Sequence, residues 1–155
     1  MTINSKYVAL KNYIPLGLPK EIDFEIKSRI LELNDENNIH VKNSWISVDP
    51  YMRARMTERK NYKPPFNIGE EMEGYAIGTV EQSASSSFNK GDLVFNNNGM
   101  RDNFICNEKD LKKINPSNLP VQSYLGPLGM TGHTAYIGLF KYGKLKEKQT
   151  VLVSS

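Results

Sequence analysis

The stretch EIDFEIKSRIL, residues 21–31, sets Ile22, Phe24 and Ile26 on alternate positions, with Glu21, Asp23, Glu25 and Lys27 between them. Successive side chains of a strand point to opposite faces. This period of two therefore predicts a half-solvated β-strand whose apolar face meets a core.

The flanking sequence continues the β pattern. SKYVALKNY (5–13) predicts a first strand and IPLGLPKE (14–21) a Pro/Gly loop. NDENN (34–38) turns the chain into a further strand, IHVKNSWISV (39–48), with Ile39, Val41 and Trp45 as core anchors. In DPYMRARM (49–56) the period changes. Asp49 suits a helix cap and Pro50 a first helical position, so a short helix is expected there. A long loop follows (60–74), then the strand YAIGTVEQ (75–82), where Gly78 signals a bulge or a close backbone approach. LVFNNNGMRDNFIC (93–106) reads as a hairpin turning through NNNG, and DLKKI (110–114) as a short strand.

Beyond Pro120 the pattern becomes helical. Tyr124, Leu128, Ala135, Leu139 and Phe140 fall near helical spacing, Pro127 and Gly129 divide a short helix from a longer one, and Gly143 fits a C-cap. A charged turn then leads to TVLVSS (150–155), an apolar run that reads as a buried strand. The order of many strands, then helix, then strand predicts a mainly β, Greek-key-like barrel of about 120 residues followed by the opening of an α/β unit.

Composition narrows the function. The 155 residues carry a net charge of +3, too mild and too evenly spread to indicate nucleic acid. No window approaches the ~18 apolar residues of a membrane span, and MTINSKYVAL lacks the layout of a signal peptide. Cys106 is the only cysteine, so no internal disulfide is possible, and a cytoplasmic protein is expected. Zinc needs about four closely spaced ligands, whereas Cys106, His40 and His133 are far apart, and no metal site is expected. Cys106 lies in an alternating strand as a small core residue, and His133 reads as a cap or surface residue. Glu70, Glu71 and Glu73 are concentrated, but adjacent loop carboxylates are ordinarily solvated or paired, here with Arg53, Arg55 or Lys63 as candidate partners. There is no G-x-S-x-G, P-loop or G-x-G-x-x-G motif.

Five stretches in order, VKNSWISVDPYMRARM (41–56), YKPPFNIGEEMEG (62–74), FNKGDLVF (88–95), YLGPLGMTGHTAYIGL (124–139) and TVLVSS (150–155), resemble one family. They look like the N-terminal part of the zinc-independent medium-chain dehydrogenases/reductases, in the group of prostaglandin, curcumin and plant alkenal double-bond reductases. The combination of SVDPYMR with LGMTGHTAY is specific, and the resemblance spans nearly the whole chain. It implies a GroES-like, partly open β-barrel over 1–122 and the first helix and strand of a Rossmann domain over 123–155, truncated before its Gly-rich loop. Where zinc-dependent cousins place a Cys and a Gly-His-Glu, this chain reads SVDPYM and Gly69-Glu70-Glu71.

The resemblance further implies NADPH-dependent reduction of the activated C=C bond of a small α,β-unsaturated carbonyl substrate, without zinc. Tyr51 resembles the substrate-pocket residue, Pro50 would shape the cofactor's approach, and Met130 and Thr131 resemble residues flanking the nicotinamide. Gly129 and Gly132 would let backbone come close. Without the resemblance, Tyr51 reads as a half-buried loop anchor, Met130 as core filler and Arg53 as a structural ion-pair residue. The complete protein would be an enzyme and a homodimer, with neither nucleic acid nor membrane as partner, and the 155-residue chain alone would be inactive. The alternative is a stand-alone GroES-like binding or oligomerisation domain whose helix–strand tail is an arm.

Overall fold

The computed structural model describes residues 2–33, 38–116 and 118–154. Strands β1 (Thr2–Leu10) and β2 (Phe24–Glu32) form an antiparallel two-stranded sheet, with a 3-10 turn over Glu21–Asp23 before β2. Strands β3 (Ile39–Ile46), β4 (Ala76–Ser83), β5 (Leu93–Asn96), β6 (Asn103–Cys106) and β7 (Lys112–Lys113) form a second sheet in the order β6-β3-β4-β5-β7. Bridges at Tyr7–Arg101 and Ala9–Glu71 tie the first sheet to loops of the second. The expected partly open barrel is therefore realised as two open sheets that do not close. Of the turn expected over 34–38, only Asn38 is among the described residues, and Ser117 and Ser155 lie outside them.

Two apolar clusters hold the unit together. One packs Ile39, Val41, Val80, Phe88, Val94 and Phe104 on the five-stranded sheet. The other packs Leu10, Ile14, Met52, Met56, Phe66 and Met72 under the short helix α1 (Tyr51–Arg55). Full burial of one such Leu, Ile or Phe side chain contributes about 1.5–3 kcal/mol.

The alternation over 21–31 is real, but its sense is inverted. Cross-strand partners share a face, so Glu25, Lys27, Arg29 and Leu31 lie with Ala9, Tyr7, Ser5 and Ile3. Ile3, Ser5, Ala9 and Leu31 are buried, and that face turns inward. Its charged members are satisfied there: Arg29 Nε lies 2.6 Å from Glu71 Oε1, and Lys27 Nζ donates to the Gly69 carbonyl at 3.1 Å. Ile22 and Ile26, expected in the core, are exposed, while Phe24 packs on the α1 cluster. Trp45 is a second correction: it is 46% exposed, beyond a bulge that shifts the β3 register between Asn43 and Trp45. That bulge lies opposite Gly78, as the glycine predicted.

β5 and β6 do not form the expected hairpin. β5 pairs with β4 and β7, and β6 pairs with the far side of β3, so residues 97–102 cross over. Asn43 holds this crossover, donating from Nδ2 to the Asn98 and Arg101 carbonyls at 2.8 and 3.0 Å.

After Pro120 come a 3-10 turn (Val121–Leu125), helix α2 (Met130–Tyr136) and a continuation as π-helix (Ile137–Tyr142). The expected terminal strand is not formed: residues 151–154 join no ladder among the described strands and are exposed. A strand is stable only against partners, and none of the described strands lies beside it.

Candidate active site

The site begins at the sharp change from β3 to α1. Pro50 adopts helical angles (φ −55°, ψ −33°), which its ring favours, and acts as the N-cap. Asp49 does not cap with its side chain as expected. Its carbonyl accepts from Met52 N–H at 3.0 Å, and its Oδ1 accepts from the Ser47 hydroxyl at 3.0 Å. This turn drives Tyr51 onto the α1 cluster, with Lys63 Nζ 5.4 Å from the ring centre. The Tyr51 hydroxyl is buried and has no hydrogen-bond partner among the described residues. Burial, then the neighbouring Tyr75 and Asp49, push its pKa above the ordinary tyrosine value, so it stays a neutral O–H donor.

Tyr51 and Met130 are 79 positions apart and belong to different sections of the chain. The fold links them through Tyr75. The Tyr75 ring sits 6.4 Å from that of Tyr51, and its hydroxyl donates to Met130 Sδ at 3.4 Å. Beyond it lies an open cavity of about 590 Å³, lined by Tyr75, Phe95, Leu128, Met130, His133 and Ile137 among others, with Lys112 also lining it. Sequence reasoning missed Tyr75 and Phe95, which read as ordinary strand residues; His133 is exposed as expected and also borders the cavity.

Not every expected residue lines this cavity: Tyr51 itself lies outside the lining, on the α1 cluster. Pro50 acts by starting α1 and lies outside the lining. Thr131 also lies outside it, because its hydroxyl turns back to the Gly126 carbonyl at 2.8 Å. Gly129 and Gly132 do permit close backbone approach, but to their own chain. A Cβ at Gly129 would strike the Tyr124 carbonyl oxygen, and one at Gly132 would strike the Pro127 carbonyl. These glycines let the chain fold tightly into α2 and so present Met130.

The residues fit one end of a dinucleotide. A flat ring suits the apolar wall of Tyr75, Phe95 and Met130, and Met130 is 47% exposed toward it. No Gly-rich phosphate-binding turn stands among the described residues. No group of three or more His, Cys, Asp or Glu is placed to hold a metal among them either.

The loop carboxylates are structural. Glu73 Oε2 accepts from Arg55 at 2.9 Å, one of the expected partners. Glu71 instead pairs with Arg29 and with the buried Arg101. Arg53 forms no ion pair among the described residues and donates twice to the Gly17 carbonyl. Cys106 sits in β6, where burial pushes its thiol up to about 12, as befits an inert structural cysteine.

The geometry has known counterparts. Residues 6–114 match the family described as the N-terminal domain of oxidoreductase. The chain is 39% identical to a 2-alkenal reductase (NADP(+)-dependent) of Nicotiana tabacum, over 99% of this chain and 46% of that protein. It is 33% identical to the NADPH-dependent curcumin reductase of Escherichia coli, over 91% of this chain and 41% of that one. Among solved structures, CurA from Vibrio vulnificus in complex with NADPH superposes with a TM-score of 0.79 at 32% identity, over 92% of this chain and 42% of that chain. The chain thus spans less than half the length of these relatives.

Proposed function

Because this chain belongs to the medium-chain dehydrogenase/reductase family, with its N-terminal oxidoreductase domain over 6–114, we propose that it is the substrate-side part of an NADPH-dependent reductase of activated C=C bonds in enones and enals. The carrying observation is the Tyr51 hydroxyl: buried, without a hydrogen-bond partner among the described residues, held neutral, and linked through Tyr75 to Met130. The alkenal and curcumin reductases it resembles carry NADP(H) dependence in their names. On this reading residues 1–122 form the substrate-side domain and 123–155 open the cofactor domain.

Bound NADPH would supply hydride to the β-carbon of the substrate. The chain's own part is positional and electrostatic. Tyr51 O–H donates to the substrate carbonyl oxygen as negative charge develops on it. A hydroxyl in that position supplies the electrophilic stabilisation without zinc. Pro50 fixes the turn that aims Tyr51, and the aromatic wall of Tyr75 and Phe95 excludes water and holds the conjugated system flat. Met130 borders the nicotinamide side, and Thr131 locks the turn that carries it.

Two measurements test this reading. Nicotinamide fluorescence titration of the 155-residue chain should show no tight complex, and low-micromolar NADPH affinity would overturn the expectation that most of the cofactor site lies elsewhere. In the longest form that the gene encodes, Tyr51→Phe should lower kcat for an enal by about 10²-fold, the usual cost of one oxyanion donor. An unchanged kcat would remove Tyr51 from the mechanism.

The exposed tail favours a second reading, an oligomerisation arm: Leu152 and Val153 are 92% and 82% exposed. A homodimer is compatible with both readings, and so is a cytoplasmic location; no described helix is long and apolar enough to cross a membrane. Light scattering on the chain decides the arm, which a clean monomer contradicts.

A further inference from the structure

Met130 lines the cavity, Tyr51 packs on the α1 cluster outside its lining, and Tyr75 touches both. Its ring stands 6.4 Å from Tyr51 at 57° and 5.3 Å from Phe95 at 31°, while its hydroxyl reaches the Met130 sulfur at 3.4 Å. The main chain around it is pinned. Ser47 N–H donates to the Tyr75 carbonyl at 2.8 Å, and Gly99 N–H donates to the Gly74 carbonyl at 2.8 Å. A Cβ at Gly74 would press on the flexible end of the Met52 side chain.

The Met130 main chain is held at the start of α2, but its side chain is 47% exposed. A methionine side chain has three rotatable bonds and a weak acceptor sulfur, and one this exposed would sample several rotamers if left alone. One O–H···S bond from a ring that Phe95 already holds selects among them. We infer that Tyr75 is a positioning residue that fixes the Met130 thioether and so sets the shape of the cavity that Met130 lines. Its consequence for substrate rests on the reductase reading above, whereas the Tyr75–Met130 linkage does not.

The linkage is read directly in the 155-residue chain labelled with methyl-13C methionine, which carries six methionines. Met130→Leu identifies the Met130 signal by its loss. Tyr75→Phe keeps the ring and removes the donor, so the Met130 methyl should shift and the signals of the methionines remote from Tyr75 should stay in place. In the longest form that the gene encodes, Tyr75→Phe and Met130→Leu should each raise KM for a small enal about 3- to 10-fold with kcat little changed. The double variant should be no worse than either single, because both remove one interaction. An unmoved Met130 methyl in Tyr75→Phe, or KM effects that multiply, would overturn the inference. The methyl shift involves neither cofactor nor substrate. If it appears while no enal is reduced, the linkage stands and the reductase reading falls.

Discussion

Gly78→Ala probes the join between the sheet and the crossover that frames the site. Gly78 lies opposite the β3 bulge, paired with Asn43. A Cβ there would sit 2.5 Å from Val41 Cγ1, 2.8 Å from the Lys42 carbonyl oxygen and 3.1 Å from Asn43 Oδ1. The second contact is to backbone, so no rotamer change relieves it and β3 must move. Overpacking of this kind costs about 1–3 kcal/mol, and replacing a strand glycine returns about 0.5–1 kcal/mol of backbone entropy. Taking the middle of the two ranges, the net expectation is about 1 kcal/mol of destabilisation. With a urea m-value of about 2 kcal/mol/M, the midpoint falls by roughly 0.5 M. The shift also reaches the 97–102 crossover, because Asn43 N–H donates to the Asp102 carbonyl at 2.8 Å and Asn96 Nδ2 donates to Asn43 Oδ1 at 3.0 Å. Trp45, the sole tryptophan, adjoins the bulge and reports unfolding by fluorescence. Gly138→Ala serves as the control: a Cβ there meets nothing within 4 Å, so its midpoint should hold or rise. An unchanged or raised midpoint for Gly78→Ala would refute the close approach.

Cys106 should resist alkylation in the folded chain. At pH 8 a thiol at about 12 is about 10⁻⁴ ionised, against about 0.2 for an ordinary one, so iodoacetamide should react on the order of 10³-fold more slowly than in urea. The linked stability has a sign as well: above pH 9 the unfolded thiol loses its proton and the folded one keeps it, so this group lowers stability as pH rises from 9 toward 12. Arg55→Lys should cost about 1–3 kcal/mol in a urea titration. Lysine cannot reproduce the Pro64 and Glu73 hydrogen bonds together with stacking 4.0 Å over Phe66.

Some of this was legible in the residues and some was not. Gly78 announced its bulge because a missing side chain has few other uses inside a strand. Ile39 and Val41 read correctly as core because both faces of β3 are covered at that end. The alternation over 21–31 revealed a strand but not which face looks inward, since Arg29 and Lys27 find Glu71 and a carbonyl only through the tertiary fold. Pairing partners were equally invisible: β5 and β6 are adjacent in sequence, yet each is taken by another strand. Tyr51 and Met130 came from the resemblance, which covers motifs rather than contacts. Tyr75 lies in one of those matching regions' gaps, between Gly74 and the apolar run of β4, and only the coordinates show it joining Tyr51 to Met130.

The central claim is that this scaffold serves C=C reduction with Tyr51 on the carbonyl oxygen. Its most direct test follows deuterium from C4-deuterated NADPH, in the longest form that the gene encodes, into an α,β-unsaturated aldehyde. The account predicts a saturated aldehyde with deuterium on the β-carbon and a solvent proton on the α-carbon. Deuterium on the carbonyl carbon of an allylic alcohol would contradict it.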